Sequence, residues 1–386
     1  MGERADEAGW ALRRTGAILA AWSDEERDLL PAVAAKAEAN GYRSIAPLTS
    51  DEVYRLESNL GAGVRAGLLV PDEGLLDPWS ITLQLATEAV VNGAHLSRAT
   101  KVTAIETFAS HHELTTSRGP IDCRWIVNAA GLGSDTIDRM LGHDAFTVTP
   151  RRGQLLVFDK LARSLLTHIV LPVPTPTTKG VLVSPTIYGN VLLGPTAEDM
   201  PGGGSTRTSK QGFDFLLSHG RRIMPGLLDY EVTAAYAGLR AATEHSDYCY
   251  EAVPTQRYVR VGGIRSTGIS SALALAEQVV KDLAAADVRM QPSTTFRTWR
   301  VPPLAEDSER PYLNAEKITL NPDYGEVVCH CERATLGEVR DAFASPIPPV
   351  DVDGLRRRTR TLMGRCQGFF CGARVDALLA EQVTRG

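Results

Sequence analysis

Residues Thr15 to Trp22 form an apolar run that reads as a strand, and Ser23 with Glu26 three positions later makes a capping box that opens a helix. Leu29, Leu30, Val33, Ala34 and Ala37 give that helix one apolar face, and Gly41 suits its C-terminal cap. Thr49 or Ser50 caps a second, short helix through Leu56. Leu68 to Val70 is a brief apolar run. Asp77-Pro78 then introduces a helix carrying Ile81, Leu83, Leu85, Ala86 and Val90, closed near Gly93.

After Gly93 the period shortens, and Ala94 to Ser97, Lys101 to Phe108 and Glu113 to Ser117 read as strands. Arg124 to Ala130 is a largely apolar strand that runs into Gly131-Leu-Gly-Ser-Asp and a helix from Thr136. A continuous apolar strand feeding a glycine turn and a helix is the pattern of a doubly wound sheet, with the helix start free to face a phosphate. From Arg151 the chain changes character. Gln154 to Phe158, His168 to Leu171, Gly180 to Ser184 and Val191 to Gly194 are short strands separated by turn residues, which suggests an antiparallel sheet; Ile187 to Asn190 is a hairpin turn. Pro201 to Ser209 is a loop before a helix that ends near Ile223. Val259 to Gly263 returns to a buried strand, and Ser270 to Ala284 is a helix. Residues 286–320 hold four prolines and little periodicity, as a connector would.

With 386 residues, 43% hydrophobic and 23% charged, the chain is an ordinary globular protein of two or three domains. A net charge of -5 exerts no global pull on nucleic acid or anionic membrane. The N-terminus mixes acids with bases and leads only to a short apolar stretch, so neither a secretory signal nor a spanning helix is expected, and a cytoplasmic location is.

Four of the six cysteines change the picture, because Cys329, Cys331, Cys366 and Cys371 are spaced C-x-C-x34-C-x4-C. Thiolates in two tight pairs, in a chain without an export signal, point to a metal. Uneven pairs suit two irons better than one tetrahedral zinc, though spacing alone leaves zinc and uncoordinated or redox-paired thiols open. Arg356, Arg357, Arg358, Arg360 and Arg365 are placed to offset a dianionic cluster, or else form a solvated basic face. Cys123 and Cys249 read as plain buried thiols.

Two glycine stretches invite a dinucleotide reading. Gly61-Ala-Gly63 lacks a strand before it and a helix after it, and is a chance match. Gly131-Leu-Gly133 does join strand to helix, but Thr136 stands where close packing wants Gly or Ala.

The segments CHCERAT and MGRCQGFFC resemble the bacterioferritin-associated-ferredoxin type of 2Fe-2S domain, in the form fused to FAD-dependent dehydrogenases. That resemblance implies Cys329, Cys331, Cys366 and Cys371 as the four ligands. RRTGAILAAWSDEE, LLDP, VNAAGLGSD, RRGQ, SPTIYGNVLLGPTAED, YAGLRAAT and GGIRSTGISSALALAE together resemble the D-amino-acid-oxidase-like superfamily, most closely its anaerobic glycerol-3-phosphate dehydrogenase branch. In that family a strand, G-x-G-x-x-G and a helix hold the FAD pyrophosphate. This sequence starts beyond that unit, so the expected fold is α/β with an incomplete FAD-binding doubly wound sheet, an antiparallel-sheet substrate domain and a small, mainly helical 2Fe-2S domain.

The implied divisions are 81–145 with 251–285 for FAD, 1–80 with 146–250 for substrate, 286–320 as linker and 321–386 for the cluster. By the same resemblance Val102 lies beside the adenine and Asn128, Ala129, Ala130 and Gly131 lie along the cofactor. Gly263, Ile264, Thr267, Gly268, Ile269 and Ser270 then lie beside the isoalloxazine. Oxidising a hydroxyl next to an anionic group calls for a fixed cation, and Arg240 and Arg265 are the candidates, with Arg152 behind them. The expected activity is FAD-dependent oxidation of a small anionic hydroxy compound, with electrons leaving through the cluster to a partner protein or quinone system. The alternative is an electron-transfer or scaffold subunit whose flavin site needs a separate chain.

Overall fold

The computed structural model describes residues 2–174 and 180–385. Its largest element is a nine-stranded sheet in which Glu198–Asp199, Thr149–Phe158, Val191–Gly194, Leu182–Pro185, Ile169–Pro172, Ala17–Ala21, Ala66–Val70 and Ala46–Thr49 follow one another, with Val232–Ala242 paired to Thr149–Phe158. The AILAA strand is buried at every residue, as an apolar run between two neighbours should be. It pairs parallel with Ile169–Pro172 and antiparallel with Ala66–Val70, so the sheet is mixed rather than purely antiparallel.

Helix Lys210–Ile223 covers this sheet with Gly212, Leu216, Gly220 and Ile223, spaced four, four and three apart on one face. Leu216, Ile223, Phe158, Leu193 and Ile18 share the main core. The caps read from sequence form: Ser23 Oγ accepts the Glu26 N–H at 3.1 Å, and Thr49 with Glu52 makes a complete capping box. Leu29 departs from its assigned face and is exposed, while Leu30 packs inward.

Two three-stranded sheets lie beyond. Val102–Thr107, His112–Thr116 and Gly119–Cys123 form an antiparallel meander. Ile126–Asn128 pairs parallel with Tyr258–Gly262, which pairs antiparallel with Cys249–Val253. The strand expected over Ala94 to Ser97 does not form. Ala94 N–H closes the preceding helix on the Ala89 carbonyl at 2.9 Å, and His95, Leu96 and Ser97 make the lip of a cleft.

Gly61 explains the chance glycine motif. A Cβ there would sit 2.0 Å from the Arg222 carbonyl oxygen. The residue is glycine because two backbones touch, not because a phosphate approaches. Gly61→Ala is therefore expected to lower stability by about 1–3 kcal/mol in denaturant melts, while flavin content per folded molecule stays unchanged.

Residues 286–320 are strapped down rather than free. Trp299 N–H donates to Glu88 Oε1 at 3.3 Å, Val301 N–H to Gln84 Oε1 at 3.3 Å, and Glu306 N–H to the Ile187 carbonyl at 2.8 Å. Beyond the strap, helices Leu336–Ala344, Val352–Thr359 and Gly372–Arg385 enclose Val328, Leu336, Val339, Phe343, Leu355 and Val375.

Candidate active site and metal centre

Asn128 and Gly263 lie at the carboxyl ends of two parallel, adjacent strands, Ile126–Asn128 and Tyr258–Gly262. Two of the cofactor stretches read from sequence therefore meet at one sheet edge, where α/β sheets receive ligands. Asn128 is buried and builds the first turn. Its Nδ2 donates to the Ser134 carbonyl at 2.8 Å and to Tyr258 Oη at 2.9 Å, while its Oδ1 accepts the Ala130 N–H at 3.3 Å. Ala129, Ala130 and Gly131 are left exposed, with Gly131 at φ 57°.

Beneath the turn, Asp138 accepts from Tyr258 Oη at 2.9 Å and from Arg260 Nε at 2.6 Å. Burial first, and then Asp138, push the Tyr258 hydroxyl up to about 12, so it stays a donor. A fixed, fully paired platform thus carries an exposed loop.

The second turn begins at Gly263, whose φ is 67° and whose missing Cβ would meet Cys249 Sγ at 3.2 Å. Helix Gly268–Ala285 follows with no side-chain cap, because the Thr267 hydroxyl is bonded to the Tyr248 hydroxyl instead. The N–H groups of Gly268, Ile269 and Ser270 are consequently open donors at a positive helix end, a donor set that fits the reduced, anionic ring of a flavin. Ile264 is partly buried beside them. Val102 stands apart, at the start of the antiparallel meander opposite Thr116; a cleft of about 430 Å³ lined by His95, Arg98, Thr100, Thr116 and Arg118 opens there.

The arginines separate cleanly. Arg152 is held by Glu198 at 2.6 Å and by the Arg207 carbonyl at 2.9 Å. Arg240 instead donates to the Thr196 carbonyl at 2.6 Å, and Arg265 to the carbonyls of Thr243 and His245. Among the described residues neither has a carboxylate partner. Burial, with Arg151 opposite it in the ladder, lowers the Arg240 pKa, yet a guanidinium remains charged at any physiological pH. An uncompensated, desolvated cation is an anion site in waiting. The Gly131 turn packs against the strand that carries Arg240.

The four cysteines come together as two pairs, Cys329 with Cys371 and Cys331 with Cys366. Among the described residues no three His, Cys, Asp or Glu side chains converge on one point as a single ion needs. Two adjoining thiol pairs, with Cys331 also close enough to feel Cys329, suit two irons. Backbone N–H groups are already aimed at sulfur: Phe370, then the Cys331 thiol, Gly368 and Phe369 hold Cys366 below the usual thiol range. Burial pushes Cys329 up to about 11 against N–H groups from Glu332 and Leu362.

The basic run is mostly spent elsewhere. Arg356 pairs with Asp353 at 2.9 Å, Arg357 lies 4.9 Å over the Trp79 ring, and Arg358 bonds the Gly354 and Ile347 carbonyls. Arg360 reaches the Cys331 loop through Glu332, while Arg365, next to Cys366, pairs outward with Asp159. Sequence reasoning missed Lys160, Asp159 and Glu332, since pairs 172 and 206 residues apart leave no local pattern.

Comparison with known proteins agrees with this geometry. The FAD dependent oxidoreductase (DAO) family matches residues 2–281, and the BFD-like [2Fe-2S] binding domain matches residues 327–381. A glycerol 3-phosphate dehydrogenase of Caloramator mitchellensis is 32% identical over 96% of this chain and 78% of its own length. A glycerol 3-phosphate oxidase of Mycoplasma pneumoniae is 28% identical over 71% and 73%. Among solved structures, the dithionite-reduced L-alpha-glycerophosphate oxidase of M. pneumoniae with FAD bound superposes with a TM-score of 0.70, at 25% identity, over 76% of this chain and 78% of that one. The chain belongs to the FAD-dependent oxidoreductase family and joins to it a BFD-like 2Fe-2S domain.

Proposed function

We propose that this enzyme oxidises a small hydroxy compound bearing a phosphate or carboxylate, of the glycerol 3-phosphate or 2-hydroxy-acid type, and delivers the electrons singly to a partner protein or quinone system. The observation that carries this reading is Arg240, a half-buried cation on the strand beside the Gly131 turn that has no acidic partner among the described residues. Its planar fork fits a dianionic phosphate or a carboxylate bidentately. Arg265, whose partners among the described residues are carbonyls, adds a second positive charge. Bound FAD supplies a two-electron acceptor and the 2Fe-2S cluster a one-electron carrier. Residues 81–145 with 251–285 hold the flavin in this reading, 1–80 with 146–250 the substrate, and 321–386 the cluster.

Exposure of the cluster loop supports an external acceptor. Phe369 and Phe370, between Cys366 and Cys371, are 85% and 76% exposed, an apolar pair beside the outer thiols. Among the described residues no helix is long and apolar enough to cross a membrane.

A second reading, in which a further segment or separate chain completes the flavin site, is favoured by one feature. Helix Gly268–Ala285 buries none of its residues, and Val127 on the adjoining edge strand is 42% exposed.

Anaerobic titration of the holoenzyme with glycerol 3-phosphate, 2-hydroxy acids and amino acids tests the proposal. Bleaching of the flavin by an anionic hydroxy compound is the expected result. Bleaching only by amino acids would sink it.

A further inference from the structure

The strand Thr149–Phe158 ends in a corner, Asp159-Lys160, that presents opposite charges on adjacent residues. Lys160 Nζ lies 3.2 Å from Glu332 Oε2, and Arg365 Nε lies 3.0 Å from Asp159 Oδ2. Glu332 directly follows Cys331, and Arg365 directly precedes Cys366. These two thiols form the more accessible of the two pairs. One corner of the oxidoreductase unit therefore grips both outer ligands through their sequence neighbours, each by the charge that neighbour carries.

The corner is rigid. Asp159 N–H donates to the Glu231 carbonyl at 2.9 Å, Asp159 Oδ1 accepts the Leu161 N–H at 2.9 Å, and Glu231 adds a carboxylate 3.3 Å from Arg365. On the other side Glu332 is buried and also accepts from Arg360 Nε at 3.1 Å, while the Arg360 guanidinium lies 3.8 Å from the Tyr188 ring centre. Glu332 with Lys160 and Arg360 sums to one positive charge; Asp159 with Glu231 and Arg365 sums to one negative charge. The two groups stand beside the ligands of a cluster whose reduction adds negative charge.

We infer that Asp159 and Lys160 are positioning residues for the 2Fe-2S cluster: supplied from outside its domain, they hold the outer ligand pair and set the field in which the cluster is reduced. This rests on the bound cluster and not on the identity of the substrate.

Redox titration of the full-length holoenzyme, followed by cluster absorbance and paramagnetic resonance, is the test. Lys160→Met removes a positive charge and is expected to shift the cluster potential negative. Asp159→Asn removes a negative charge and is expected to shift it positive. Both shifts shrink at high salt, since the Lys160 and Arg365 side chains are 38% and 54% exposed. Both variants should lose iron to a chelator faster, by about tenfold, the lower end of what outer-shell partners confer. Lys160→Arg keeps the charge and should keep the parent potential. If Asp159→Asn fails to accumulate because Asp159 also caps Leu161, Glu231→Gln removes the other carboxylate from Arg365 and carries the same sign. Shifts of one sign in both variants, no shift, or a Lys160→Arg that moves as far as Lys160→Met overturn the inference, because mere loosening exposes the cluster alike in each.

Discussion

Replacing Arg240 with alanine lowers kcat/KM for the anionic substrate by about 100- to 1,000-fold, the equivalent of roughly 3–4 kcal/mol of charge-assisted hydrogen bonding to a desolvated partner. Most of the loss is expected on KM, because the group proposed to sit on the guanidinium does not change charge during the reaction. Arg240→Lys keeps a point charge but loses the fork, and falls between the two. Gly153 supplies an independent handle. A Cβ at that position would lie 2.1 Å from Arg240 Nη2 and 3.0 Å from its Cζ, so Gly153→Ala displaces the guanidinium without touching its charge. The expected effect is a smaller rise in KM in the same direction. Steady-state kinetics with a saturating artificial acceptor reads all three. A KM in Arg240→Ala equal to the parent value removes Arg240 from the site.

Why Arg240 and not its neighbours emerged from geometry bears on what the sequence can carry. Its type and motif single it out as a candidate, but so do those of Arg152 and Arg265, and only the structure shows Arg152 neutralised by Glu198. Its strand, Val232–Ala242, was also invisible to periodicity. VTAAYAGLRAA holds too few large apolar residues to alternate, and what makes it a strand is pairing along its length with Thr149–Phe158. Local signals fared better where the cause is local. The caps at Ser23, Thr49 and Asp77 and the turn at Gly131 form because side chains a few residues away satisfy particular backbone groups. Cysteine spacing announced a metal because each half of the thiol set is close in sequence, although the fold sets each thiol against one from the other half, Cys329 against Cys371 and Cys331 against Cys366. The clamp at Asp159 and Lys160 was illegible for the opposite reason, since its partners come from a different domain.

Serine at any of the four proposed ligand positions is expected to deplete the cluster, but only two of the four replacements should also unfold the domain around it. Cys329 and Cys371 are 1% and 2% exposed and belong to the apolar core with Val328, Leu355 and Val375. A hydroxyl there loses its sulfur partner inside that core, a penalty of roughly 1–3 kcal/mol. It adds to the loss of metal-binding energy that, for so small a domain, is folding energy. Cys331 is exposed and Cys366 only partly buried, and the loop around them turns on backbone bonds such as Phe369 N–H to the Cys366 carbonyl at 3.0 Å. Serine there leaves the core intact. Cys331→Ser and Cys366→Ser should therefore purify iron-poor yet resist proteolysis beyond residue 320, whereas Cys329→Ser and Cys371→Ser should be trimmed back to the strap at 286–320. In all four, substrate still bleaches the flavin, while turnover with a one-electron acceptor falls to the level of direct flavin reoxidation. Equal protease sensitivity in the four variants would show that the inner pair holds the fold no more than the outer pair does. That outcome would make the cluster, rather than the buried thiols, the sole organiser of the domain.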